Sequence, residues 1–339
     1  MALASPAATP GDLRAAFDGS RALVTGGLGL IGSALARRLV ELGASVTIID
    51  ASLPESGANL RNIESIRERV QLALVDVRCT DQLPELLRGH DYLFNLAAQV
   101  SHVASMSDPI TDLDINCRAQ LTLLEACRRV NPGAVIVFAS TRQIYGRPEY
   151  LPVDERHPLC PVDVNGVNKM AGEAFHVVYS NAFGLKTSAL RLTNTYGPGM
   201  RIKDARQTFV GIWLRNIIEG RPIEIWGGMQ KRDFTYVEDV AEAFLLAATC
   251  PQAQAHAFNL GGDRVVSLLE LAEMLIATNG AGQYLVRDFP EERQRIDIGD
   301  YYADDGQFRQ LTGWRPRVTL ERGLERTLAY FRANFHHYV

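Results

Sequence analysis

Residues 22–32 read ALVTGGLGLIG. Gly26, Gly29 and Gly32 follow an apolar run and open a helical pattern that begins near Leu30 and Ile31. In such a turn the first glycine permits a tight reversal. The second lets the backbone approach a pyrophosphate, and the third lets the helix pack closely on the strand. The helix N-terminus offers free N–H groups and a positive dipole end to the phosphates. Asp50 closes the next apolar run, 18 residues after Gly32. A carboxylate there accepts from both hydroxyls of a ribose and repels a 2′-phosphate, so the expected cofactor is NAD rather than NADP. Two further run ends add contacts. Asp76 and Val77 in VDVR fall where an adenine would lie, and Leu96, Ala97, Ala98 and Gln99 in NLAAQ leave room for a cofactor.

These residues need a frame that brings strand ends together. Short β-rich runs occur at 21–26, 45–50, 70–76, 92–97, 134–140 and 187–194. They are continuously apolar rather than alternating, which suits strands buried on both faces. Helical patterns lie between them at 30–42, 80–88, 111–130 and 165–183. Strand–helix alternation predicts an α/β fold, a Rossmann-type doubly wound parallel sheet with ligands at the carboxyl ends of its strands. After about residue 195 the pattern loosens. Helical patterns at 207–219, 237–249 and 267–279 surround short strands near 222–226 and 256–260. The expected organisation is a flexible tail over 1–19, an NAD-binding domain over 20–195, and a smaller C-terminal substrate lobe over 196–339, partly interleaved with the main sheet.

Composition narrows the classes of function. Net charge is −4 and no long basic run exists, so nucleic acid is not an expected partner. VTIID and AVIVFA are too short to span a bilayer. The opening MALASPAATPGD lacks the basic region and apolar core of a signal peptide. Cys79, Cys117, Cys127, Cys160 and Cys250 are scattered without a CxxC, as reduced cytoplasmic thiols are. No His, Cys, Asp and Glu cluster has metal-ligand spacing.

TGGLGLIG, DVR, NLAAQVSH, FASTRQIYG, NGVNKMAGE, RLTNTYGP and GGMQKRDFTYVEDV occur in that order across residues 25–240. Together they resemble the extended short-chain dehydrogenase/reductase family, and within it nucleotide-sugar epimerases and dehydratases of the UDP-glucose 4-epimerase type. GDRVVSLLELAEML and LTGWRPRVTLERGLERTLAYF resemble that group's C-terminal lobe. The resemblance implies a tightly held NAD that oxidises a sugar, usually at C4, and usually gives the hydride back. It also implies a catalytic Ser or Thr, a Tyr, and a Lys four residues after the Tyr. Positions i and i+4 share a helix face, and a cation beside the phenol lowers its pKa.

Carried onto this chain, the hydroxyl is Thr141 and the lysine is Lys169, but the tyrosine position holds Asn165. Asn168 stands where Ser or Thr is common, and Asn116 matches an Asn that holds the active-site helix. A primary amide donates and accepts hydrogen bonds but takes no proton near neutrality, so it is no general base. Three accounts stand open on the sequence. The base is another group, such as Lys169, His102, Cys160, Asp163 or a water. Alternatively the tyrosine was replaced by engineering, or redox chemistry was lost and an NAD and sugar-nucleotide binder remains. The expected function is epimerisation through transient C4 oxidation with an atypical base; dehydration, decarboxylation and silent binding are the alternatives.

The family pattern also assigns a substrate side. Arg142 and Gln143 follow Thr141 and are expected to line the pocket, with Arg142 suited to an acidic substituent. Tyr145 and Tyr196 read as packing residues. Asn194 in RLTNTYGP, Arg232 in QKRDF and Arg295 in RQRIDIGD are nominated for the diphosphate of a nucleotide-diphosphate sugar, whose oxygens match the guanidinium fork. Residues 202–209 would border the nucleotide base, with Phe209 a packing contact. Leu121, Leu124, Cys127, Phe175 and Val178 stripe a second helix face. In the family such helices pair across a two-fold axis, so a homodimer is expected.

Overall fold

A computed structural model describes residues 10–53, 56–204 and 208–339. The six apolar runs become β1 (Arg21–Thr25), β2 (Ser45–Ile49), β3 (Val70–Ala73), β4 (Tyr92–Asn95), β5 (Val135–Thr141) and β6 (Lys186–Leu192). Six more follow: β7 (Asn194–Tyr196), β8 (Ile223–Trp226), β9 (Lys231–Tyr236), β10 (Ala257–Asn259), β11 (Val265–Ser267) and β12 (Tyr284–Arg287). A seven-stranded sheet runs β10-β6-β5-β4-β1-β2-β3, and every pairing in it is parallel. Strand order reverses between β1 and β4, which opens a crevice at their carboxyl ends. β10 comes from the C-terminal half of the chain yet extends the edge of this sheet. β11-β9-β7 and β12-β8 form two small sheets beside it.

Three helices position the site: α1 (Leu30–Glu41), α2 (Ala119–Val130) and α3 (Val164–Phe183). The sequence pattern treats 111–130 as one helix. Instead Pro109–Leu113 is α-helical, Asp114–Arg118 widens into a π-turn, and α2 follows. Such a widening is a common device near functional sites. It carries Asn116, which is fully buried, and it follows the fully buried Asp112.

Part of the expected tail is ordered. Pro10–Phe17 is a helix with Leu13 and Phe17 buried, and the Phe17 ring packs 4.6 Å from Tyr92 and 6.4 Å from Phe94. Residues 1–9 lie outside the described residues. The expected helix at 80–88 shortens to Leu83–Leu87. A 3-10 helix at Leu60–Arg69 and a short helix at His102–Ser107 were not signalled, because neither carries a full apolar stripe.

A buried polar spine lies beneath the crevice. Thr25 Oγ1 donates to Asn95 Oδ1 (3.0 Å), and Asn95 Nδ2 donates to Gln120 Oε1 (2.6 Å) and contacts His176 Nε2 (3.3 Å). His176 Nδ1 reaches Gly172 O (2.7 Å), and its ring stacks 4.3 Å from Phe138. The imidazole therefore donates at Nδ1 and accepts at Nε2, which is its neutral form. Burial pushes it down to about 4, from 6.5. The unfolded chain then binds a proton that the folded chain rejects between pH 6.5 and 4. Stability is complete above 6.5 and falls across that window by about 3 kcal/mol. Urea titrations at stepped pH should show this loss in the wild type and a shallower acid limb in His176→Gln.

Candidate active site

The glycine turn is built as its spacing demands. Gly26 has φ +69°, and a Cβ there would stand 3.0 Å from the Leu96 and Ala97 backbone. A Cβ on Gly32 would stand 2.3 Å from Gly26 O. Gly29 caps α1 with no side chain over its end, so Leu30 and Ile31 begin the helix with their N–H groups turned to the crevice end. Gly32→Ala should cost about 2–3 kcal/mol because backbone has to move. The purified variant should release no NAD on denaturation, as absorbance at 260 nm would show.

Asp50 follows β2 and is buried. Its Oδ2 accepts from Leu28 N (3.0 Å) and its Oδ1 from Ser52 N (2.8 Å), while burial pushes the carboxyl up. Each oxygen keeps a further lone pair for a ribose hydroxyl. Asp76 and Val77 sit in the turn after β3. Val77 is buried, and Asp76 takes a fork from Arg78, with Nε to Oδ1 at 3.0 Å and Nη2 to Oδ2 at 2.6 Å, which holds its carboxyl down. Leu96 N and Ala97 N both donate to Thr25 Oγ1 at 3.0 Å. Ala98 follows them, half-buried. Gln99 N donates to Asn116 Oδ1 (3.2 Å), and Asn116 Nδ2 returns a bond to Gln99 O (2.9 Å).

Thr141, at the end of β5, accepts at Oγ1 from Gln143 N (3.2 Å). Lys169 comes from α3 and donates from Nζ to Ala139 O, two residues before Thr141, with Nζ 4.2 Å from the Phe138 ring centroid. Burial pushes the ammonium down to about 8; Asp112 and Glu173 oppose that shift.

Asn165 lies one turn before Lys169 and is buried. Its Nδ2 donates to Gln99 O (2.9 Å) and to Asp112 Oδ2 (3.1 Å), while its own N–H donates to Ser105 Oγ (3.2 Å). Asn168 Nδ2 donates to Asp112 Oδ1 (2.8 Å). Two amides thus clamp one buried carboxylate. The sequence reading missed Asp112. The signal available was the pair Asn165 and Asn168, which put two amides on one buried helix face and so require a polar partner there.

On the substrate side, Arg142 Nη2 donates to Asn194 Oδ1 (3.1 Å), and its guanidinium lies 5.5 Å from the Tyr301 ring centroid. Arg142 Nε is buried with no partner among the described residues. Arg232 donates to Lys231 O and Gly299 O and faces Asp297 at 3.4 Å; burial and then Arg142 push it down to about 10. Asp233 is pushed up to about 7 by burial, and its Oδ1 is unpartnered among the described residues. Arg142, Asn194 and Arg232 therefore belong to one buried region. Arg295 does not join them: its guanidinium pairs with Glu291 (2.6 Å) at the surface, along an open cleft shared with Arg147, Leu151 and Asp297. Phe209 packs on Trp213 and Phe234, and residues 205–207 of the neighbouring loop lie outside the described residues. Tyr145 and Tyr196 are fully buried, with Tyr145 OH donating to Asn259 Oδ1 (2.8 Å). Among the described residues no group of His, Cys, Asp and Glu could hold a metal ion, and no helix is long and apolar enough to cross a membrane.

A glycine turn between β1 and α1, with a carboxylate closing β2, defines a dinucleotide-binding α/β protein. Residues 22–261 match the model of the NAD dependent epimerase/dehydratase family, and the chain belongs to that family. It is 32% identical over 317 residues to the UDP-glucose 4-epimerase of Mycolicibacterium smegmatis, covering 92% of this chain and 98% of that one. The solved UDP-glucose 4-epimerase of Thermotoga maritima, with UDP-glucose, superimposes with a TM-score of 0.85 at 28% identity, over 93% of this chain and 99% of that one. The Thermus thermophilus UDP-glucose 4-epimerase, solved with NAD, gives 0.82 at 29% identity, over 92% and 99%. NAD is accordingly the cofactor, and the glycine cradle and Asp50 fit it.

Proposed function

We propose that this enzyme is a nucleotide-sugar epimerase that works through transient oxidation at sugar C4, with a general base other than a tyrosine. The carrying observation is the convergence of Gln99, Thr141 and Lys169 on the carboxyl edge of β4 and β5, where the glycine turn also opens. NAD, held over Gly26–Gly32 and Asp50, supplies the hydride acceptor and donor. Thr141 Oγ1 hydrogen-bonds the reacting sugar oxygen in this reading. Lys169 supplies a positive charge in a dry site, where it counts for more than in water. Asn165 takes the place expected of the tyrosine and serves as an anchor for Gln99 and Asp112. Arg142, Asn194 and Arg232 hold the anionic end of the nucleotide sugar. The test is mass spectrometry of UDP-, GDP-, CDP- and dTDP-sugars incubated with the protein, with chromatographic separation of isomers. A new isomer of equal mass supports the reading; loss of water moves the enzyme to the dehydratases.

A second reading has its own observation. The unpartnered Nε of Arg142, directly after Thr141, offers a charged donor for a carboxylate on the sugar itself. A uronic acid would satisfy it, and loss of CO₂ in the same assay would establish decarboxylation.

We also propose a homodimer. Leu124 and Cys127 do not serve it, because both are fully buried in the chain's own core against strands such as β1 and β5. Val167 and Val178, which share one face of α3, are exposed. Light scattering at micromolar concentration should give the mass of two chains, and Val178→Glu should shift it towards one.

A further inference from the structure

Asn165 cannot take a proton, so the reaction proposed above requires a base that the geometry must supply. The short helix His102–Ser107 begins just after Gln99, where β4 ends at the crevice. Two contacts dock it on the start of α3. Ser105 Oγ donates to His102 O (2.7 Å) and accepts from Asn165 N (3.2 Å). His102 Nδ1 stands 3.0 Å from Asp163 Oδ2, close enough to pair but off the line of an ideal hydrogen bond. Such alignment commonly tightens once substrate is bound.

Asp163 is itself fixed from three sides. It caps α3 by accepting from Gly166 N at Oδ1 (2.6 Å), accepts from Gln143 Nε2 at Oδ2 (2.7 Å), and buries its side chain completely. Gln143 lies two residues after Thr141. The pair His102–Asp163 is thus bonded to the turn that follows Thr141 and to the first turn of α3, which carries Asn165. Against the burial that would raise it, His102 and these bonds hold the Asp163 carboxyl below its usual range, so it stays an anion. With Nδ1–H turned to that anion, Nε2 is left as the acceptor, and among the described residues it has no partner. The other candidates are placed less well. Lys169 is engaged by Ala139 O, and Cys160 is an exposed free thiol.

We propose that His102, oriented by Asp163, is the general base of this enzyme, accepting the proton of the reacting sugar hydroxyl at Nε2. This rests on the epimerase reading. The O–H bond breaks and its proton passes to Nε2, giving an imidazolium. The C–H bond at the same carbon breaks, its electron pair leaving as hydride to the oxidised nicotinamide, and a C=O bond forms. On the return both transfers reverse, so no outside oxidant is consumed. Asp163 is a positioning residue: it sets the tautomer and touches no reacting atom.

The test uses the full chain with its bound NAD and the sugar nucleotide that the wild type converts. For His102→Ala, kcat should fall about 10²–10⁴-fold with KM and UDP affinity little changed. Added imidazole should restore part of that loss and leave the wild type unaffected. Asp163→Asn keeps the helix cap but offers Nδ1 a donor, so it should favour the wrong tautomer and lower kcat about 10²-fold at unchanged KM. A His102→Ala enzyme within about 3-fold of wild-type kcat would overturn the inference while leaving the epimerase reading intact. So would a loss that imidazole does not rescue and that UDP binding follows, since that marks a structural role. A wild type that converts no sugar would remove the reading and this inference together.

Discussion

Lys169→Met should yield a protein that is more stable than the wild type and nearly inactive. The wild-type ammonium is buried, and burial pushes it down from 10.5 to about 8. That difference corresponds to about 3 kcal/mol, the cost of keeping the charge in place at neutral pH. Methionine fills a similar length without that cost, though it leaves Ala139 O without this donor. A net gain of about 1–3 kcal/mol is expected at pH 7. The sign can be checked against pH. Between 8 and 10.5 the unfolded chain holds a proton that the folded chain has released, so wild-type stability rises with pH across that window. The advantage of the variant should shrink there and level off above it, as paired urea titrations at pH 7, 9 and 11 would show. Turnover should drop at least about 10²-fold, as when a preorganised charge is removed from a dry site. A variant that is inactive and also less stable would mean that the ammonium contributes to packing more than it costs.

Asn165→Tyr should lower activity rather than raise it. The position is buried, and its amide sits between Gln99 O and the Asp112 carboxylate. A phenol there needs volume that the site lacks, at about 1–3 kcal/mol. It would also lie beside a buried anion, and a neighbouring negative charge raises a phenol's pKa and opposes the phenolate. The substitution leaves Asp112 with Asn168 as its remaining amide donor. Thermal unfolding should therefore move down, and turnover should fall with it. The double variant Asn165→Tyr/Asp112→Asn is the informative companion. If removing the anion restores rate, then Asp112 is what prevents a tyrosine from working at this place.

The strands and the cofactor turn were legible because both depend on local rules. Six apolar runs of the right length became six parallel strands, and three spaced glycines became the turn they imply: Gly26 has a positive φ, and a Cβ on Gly32 would clash with Gly26 O. The site's polar wiring was not legible for the opposite reason. Asp112 meets Asn165 and Asn168 from 53 and 56 residues away, and His102 meets Asp163 across a comparable separation. No periodicity encodes such meetings. Short elements also escaped. His102–Ser107 has no apolar stripe, and the π-turn at Asp114–Arg118 interrupts a stripe that reads as continuous. Arg295 shows the converse limit: its sequence context nominates it for a diphosphate, yet its chain position leaves it paired with Glu291 at the surface.

Gln99 O accepts from both Asn116 and Asn165, while Thr25 holds the N–H groups of Leu96 and Ala97 at the other end of the same segment. A wall stapled at both ends to two helices and a strand does not swing open by itself. The shape that residues 96–99 present to the cofactor turn is therefore set by the chain's own hydrogen bonds before any ligand arrives. NAD meets a preformed wall here, and binding it costs little ordering of this segment.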